Sequence, residues 1–82
     1  MKFRRRSDGA VAEAYMYTQG KPLPHWLHDR ADVRLPDIEK PMQVRIITGQ
    51  WWVVGPNEWI VNHKDGLYLI EDADIEQSHD EV

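Results

Sequence analysis

The clearest hydrophobic pattern lies between residues 44 and 70. Val44-Arg45-Ile46-Ile47-Thr48 is β-branched and alternating, which predicts a strand. Gly49-Gln50 predicts a two-residue turn, Trp51 to Val54 a second strand, and Gly55-Pro56-Asn57-Glu58 another reversal. Trp59 to His63 reads as a third strand and Leu67 to Ile70 as a fourth. Between them Lys64-Asp65-Gly66 reads as a tight turn in which Gly66 is free to take a positive φ. Short strands on short turns predict an antiparallel meander that twists and could curl into a small barrel-like sheet.

Upstream, Ala10 to Tyr17 sets Val11, Glu13, Tyr15 and Tyr17 on one side and Ala10, Ala12, Ala14 and Met16 on the other. This predicts a strand that joins the meander and runs into a turn at Thr18-Gln19-Gly20. Pro22 and Pro24 hold the backbone extended, and Pro24 suits the first position of a short helix. That helix is expected over His25 to Asp32, with Trp26, Leu27 and Ala31 inward. Val33 to Met42, interrupted by Pro36 and Pro41, reads as a loop. The acidic tail predicts one helical turn around Ala73 to Gln77 and then fraying. The expectation is an α+β fold: a small, mainly antiparallel twisted sheet of about five strands with one short helix. It forms a single domain over 1–82, with the basic head 1–8 and the acidic tail 72–82 frayed.

Composition narrows this reading. Eighty-two residues allow one small domain with a modest core, and 41% hydrophobic content is enough for it to fold. The absence of cysteine excludes a disulfide framework, a thiolate zinc site and a thiol nucleophile, and it fits a reducing compartment. No continuous apolar run exceeds four residues, as in Trp51-Trp52-Val53-Val54, far short of the ~20 that span a bilayer. The basic start is not followed by an apolar stretch, so neither a signal peptide nor a membrane partner is expected.

The net charge of −4 is unevenly placed. Lys2, Arg4, Arg5 and Arg6 crowd the head, and Glu71, Asp72, Asp74, Glu76, Asp80 and Glu81 the tail. Such a chain can fold back on itself or associate head to tail. The same four cations are candidates for a nucleic-acid arm that neutralises phosphates. The blander reading makes them a charge guard on a strand edge or partners of the tail.

His25 and His28, three apart, would share a helix face and could bind a metal, but the reading favours surface histidines flanking a buried Trp26. No metal and no cofactor is expected. Glu13 is a candidate buried carboxylate, more often tied to a cation than catalytic. Ser7 and Ser78, the only serines, lie near the ends, and no serine elbow or glycine-rich phosphate loop occurs. No enzyme is expected. Four tryptophans are many for this length. Trp26 and Trp59 suit the core. Trp51 and Trp52 must point to opposite faces, so one is a candidate interface aromatic, with Tyr17 a further interface candidate. Too little chain exists to cover both faces of that apolar strand, which makes self-association into a homodimer an expectation.

The opening Met1-Lys2-Phe3-Arg4-Arg5-Arg6 followed by Val11-Ala12-Glu13-Ala14 resembles a group of small phage and prophage proteins. Those begin Met-Lys-Phe-Arg-Lys-Lys-Pro and continue with an apolar stretch ending in Glu-Ala. Further matching stretches are Gly49-Gln50-Trp51, Val54-Gly55-Pro56-Asn57-Glu58-Trp59-Ile60, Asp65-Gly66-Leu67-Tyr68 and Ala73-Asp74-Ile75-Glu76. Pro24-His25-Trp26 is similar to that group's Pro-Glu-Trp helix start. The resemblance covers about residues 1–17 and 49–77. Asn57-Glu58 stands where the group has Gly-Asp, Ala73 where it has Pro, and Glu76 where it has Phe. Asn57 can adopt the backbone angles a glycine would supply, so the turn can survive. The resemblance implies a small α+β phage gene product of unknown function in the cytoplasm of an infected or lysogenic bacterium, with a host or phage protein as partner. It brings no catalytic residues.

Overall fold

The computed structural model describes residues 1–18 and 20–82. Strands β1 (Lys2–Arg5), β2 (Val11–Met16), β6 (Glu58–His63), β7 (Gly66–Glu71) and β8 (His79–Glu81) form a five-stranded antiparallel sheet in the order β7-β6-β2-β1-β8. Strands β3 (Val33–Arg34), β4 (Gln43–Arg45) and β5 (Trp51–Val53) form a second, three-stranded sheet. Helix α1 (Asp72–Ser78) connects β7 to β8. The fold is a small α+β one, as the pattern of the chain predicts.

Alternation along β6 explains the layering. Trp59 and Val61 point to one core, where Phe3, Ala12, Ala14 and Ile75 join them beneath α1. Ile60 points to the other, with Leu27, Met42, Val44, Val54 and Leu67 under the small sheet. Both sides of β6 are therefore covered. The register from Glu13↔Asn62 to Met16↔Trp59 holds β2 beside it, and β7 pairs along its whole length. The Pro56-Asn57 turn works because Asn57 takes φ +64, the angle glycine would otherwise supply. The Gly55 N–H also donates to Glu58 Oε1 at 2.6 Å.

Four expectations are corrected. Residues 44–70 are not one meander: β4 and β5 belong to the small sheet, β6 and β7 to the large one. The first predicted strand stops at Arg45 because Ile46 leaves to bridge Leu67, with the Ile47 N–H donating to the Leu67 carbonyl at 2.8 Å. That contact stitches the sheets together. Second, the helix over His25 to Asp32 is a single 3-10 turn, His25–Leu27; Pro24 precedes it in extended conformation and Asp29 takes φ +59. Leu27 is buried, Trp26 is half-buried and Ala31 is exposed. Third, Val33-Arg34, read as loop, is β3. Fourth, the ends do not fray but pair with each other as β1 and β8, from Phe3↔Glu81 to Arg5↔His79. The tail helix has two turns, favoured by Asp72 and Asp74 at its positive end and pinned by buried Ile75. The predicted turn residue Gln19 lies outside the described residues.

Two substitutions test this packing. Phe3 is buried, with its ring edge-on to Trp59 at 5.1 Å between centroids. Phe3→Ala should cost about 3–5 kcal/mol in urea unfolding, whereas a frayed head would make it nearly silent. The Tyr15 hydroxyl is buried with no hydrogen-bond partner among the described residues. Tyr15→Phe should therefore leave stability unchanged or raise it by about 1 kcal/mol; a clear loss would show that the hydroxyl has a partner.

Candidate functional site

Strand β5 is one of four strands that end a sheet, with β3, β7 and β8, and it is the one that carries the candidate tryptophans. The register Gln43↔Val53, Val44↔Trp52 and Arg45↔Trp51 joins it to β4, and the order β3-β4-β5 gives it no second neighbour. The Ile46 N–H donates to the Gln50 carbonyl at 2.9 Å and the Val54 N–H to the Met42 carbonyl at 2.9 Å. Antiparallel ladders bond every second pair, so Trp52 bonds Val44 while the N–H and C=O groups of Trp51 and Val53 face away from β4. No strand among the described residues meets them.

The side chains of β5 divide as predicted, onto opposite faces. Trp52 shares the inward face with Val44 and Val33, yet reaches past the core rim and stays 50% exposed. Trp51 shares the outward face with Arg34, Gln43, Arg45 and Val53. The Arg34 guanidinium lies 3.8 Å from the centre of its ring and that of Arg45 at 6.0 Å, which leaves Trp51 half-buried under cations. Val53 is 50% exposed. Of the two candidate tryptophans, Trp52 is thus the open one. Tyr17 is half-buried against the second core and lines an open cleft of about 800 Å³ beside the end of β5, along with Ile38, Val54 and Pro56. The three interface candidates therefore sit at or next to one edge. Arg34 escapes sequence reasoning because its two-residue strand lies in a proline-flanked segment with no periodicity.

The cations of the basic head meet a different set of partners, mostly at the surface. Arg6 reaches across β8, with Nη2 donating to the Glu76 carbonyl at 2.8 Å, Nη1 to the Gln77 carbonyl at 3.1 Å, and Nε and Nη2 to Asp80. It thereby holds the carbonyl end of α1. Arg5 forks onto Asp8 and donates from Nη2 to Nε2 of buried His63 at 2.8 Å. Tyr68 Oη meets His79 Nε2 at 2.8 Å, and Ser78 Oγ meets His79 Nδ1 at 2.7 Å. This buried cluster was missed in the sequence, although His63 alternates with Trp59 and Val61 and so falls on their inward face. Lys2 approaches Glu13 at 3.9 Å, and the amino group of Met1 approaches it at 3.5 Å. Arg4 is exposed. His25 and His28 are both exposed, and no group of three metal-ligating His, Cys, Asp or Glu side chains occurs among the described residues. None of those residues forms a helix long and apolar enough to cross a membrane.

No protein-family model matches the chain, and neither a curated protein nor a solved structure matches it.

The head-to-tail cluster gives the protein a two-stage response to acid. Burial, reinforced by Arg5 and Arg6, holds the His79 pKa below its ordinary 6.5. A group so shifted contributes full stability above 6.5 and loses it as pH falls below that value, because the unfolded chain binds the proton first. Asp8, Asp32 and Asp80 are held below the ordinary 3.8, chiefly by hydrogen bonds from Arg5, Arg30 and Arg6. Their contribution is present above 3.8 and lost below it, and each is small because they are solvated. Melting temperature should fall first as pH drops below the ordinary histidine value of 6.5 and again as it drops below the ordinary carboxylate value of 3.8. His79→Gln should remove the first step only; a wild-type profile flat from pH 7 to 5 would contradict the assignment.

Proposed function

We propose that this chain is a non-catalytic protein-binding module that offers the β5 edge, Trp51 to Val53, to a polypeptide partner. The observation that carries the reading is the coincidence of unpaired main-chain groups with two half-exposed apolar side chains on one short strand. Extended peptides add to such edges through main-chain hydrogen bonds, and side chains beside the edge supply selectivity. Edge strands are guarded by shortness, charge, proline or bulges; β5 is short and has Arg34 and Arg45 over Trp51, but it carries no proline and no charged side chain of its own.

The head supports the protein reading over a nucleic-acid one. Arg5 and Arg6 are engaged with Asp8, Asp80 and the end of α1, so an arm built from Lys2, Arg4, Arg5 and Arg6 would have to break those contacts before meeting phosphate. The mutual hydrogen bonding of Arg5, Asp8, His63, Tyr68 and His79 favours a structural role for them. On the resemblance of residues 1–17 and 49–77 we place the protein among phage or prophage accessory proteins, working in the cytoplasm of an infected or lysogenic bacterium on a host or phage protein.

A photo-crosslinking amino acid tests this directly. Placed at position 52, it should give polypeptide adducts in bacterial cells, while the same group at exposed Asp74, on α1 beyond the other face of the large sheet, should give none. No adduct at 52, or the same adducts at both positions, would overturn the reading.

A further inference from the structure

We infer that the β5 edge pairs with the β5 edge of a second copy, antiparallel about a two-fold axis through Trp52. The inference rests on the protein-binding reading and names its occupant.

The strand itself sets the register. Its outward main-chain groups belong to Trp51 and Val53. Only when Trp51 faces Val53 of the second copy do all of these groups on both strands find partners. Centring the axis on Trp51 or on Val53 would bond just one residue of each edge. In the favoured register Trp52 faces Trp52 as a non-hydrogen-bonded pair, the arrangement that brings side chains closest.

The faces are self-complementary in that register and in no neighbouring one. On the inward face, Val33, Val44 and Trp52 of one copy continue into Trp52, Val44 and Val33 of the other, an unbroken apolar row. On the outward face, each Trp51 meets the half-exposed Val53 of the second copy, an aromatic and β-branched pair. Arg45 stays far from its counterpart. The two Arg45 residues are three strand spacings from each other, roughly 14 Å, beyond the distance at which physiological salt screens exposed charges. Centring on Trp51 would instead set the two Trp51 rings, each under its Arg34 guanidinium at 3.8 Å, directly opposite each other. The two small sheets would merge into one of six strands, and the β5 edge of each copy would be paired. Because the edge is short, the dimer is weak and reversible rather than obligate.

The chain has no cysteine, so a single introduced one reports the register. Trp52→Cys places two thiols opposite each other at a separation a disulfide can span. Gln50→Cys puts them four residues out of register, too far apart to bridge. Mild oxidation should link the Trp52→Cys protein into a covalent dimer and leave the Gln50→Cys protein monomeric. Without mutation, sedimentation velocity up to about 1 mM protein should show a concentration-dependent shift from monomer to dimer. Val53→Lys, at an exposed site that should fold normally, should weaken that dimer by about tenfold or more. The inference is overturned if the wild type stays monomeric, if Val53→Lys dimerises equally well, or if position 50 links as readily as position 52. Adducts to foreign proteins from position 52, combined with a wild type that stays monomeric, would sink the dimer and leave the protein-binding reading standing.

Discussion

Every layer of this fold depends on β6 having two apolar faces that must both be buried. Trp59 and Val61 belong to one core and Ile60 to the other. A strand of that kind is stable only between two covering layers. One cover is α1, anchored by Ile75, whose first-turn Asp72 accepts a hydrogen bond from Trp59 Nε1 at 2.8 Å. The other is the three-stranded sheet, carrying Val44 and Val54 and attached by the 3-10 turn with Leu27. An 82-residue chain can supply both covers. With both covers in place, no strand among the described residues pairs the β5 edge of the smaller sheet. The open β5 edge is thus a consequence of the way the chain meets a larger requirement, and the functional reading follows from it.

The ends of the chain are part of the same solution. β1 would be the exposed margin of the large sheet were it not for β8, and β8 is positioned only because α1 turns the chain back. Arg6 holds the carbonyl end of α1 and Asp80 together, so opposite charge at the two termini becomes a clasp. Each exposed contact is weak by itself. Behind them Phe3, His63, Tyr68 and His79 are buried or half-buried, and there the hydrogen bonds have less competition from water.

The positions of β2, β5, β6 and β7 and the turns that follow β5 and β6 were legible because they depend on local chemistry. Asn57 at a positive φ and Gly66 after the Lys64-Asp65 turn stand where their residue types place them. The division of the meander into two sheets was not legible, since Ile46 and Ile47 carry the same β signal whether they continue β4 or bridge to Leu67. The helix was misplaced for a similar reason. Pro24 and Trp26 look like a helix start, but the chain is already extended at His28, ahead of left-handed Asp29, so only one turn forms, whereas the acidic tail gains its second turn from Ile75 packing on Phe3 and Trp59. Charge showed that head and tail attract, without showing that they pair as strands. Alternation put Trp51 and Trp52 on opposite faces but could not choose the open one, because that choice depends on Trp52 facing Val44 and on Arg34 covering Trp51.

Amide hydrogen exchange, residue by residue and at low protein concentration, addresses the open edge most directly. An unpaired edge requires the Trp51 and Val53 amides to exchange at nearly unprotected rates, while the Trp52 amide between them is slowed by its bond to Val44 and those of β6 are slowest of all. If Trp51 and Val53 were as protected as Trp52 under those conditions, something within the molecule would already cover β5, and the edge could not be a docking site.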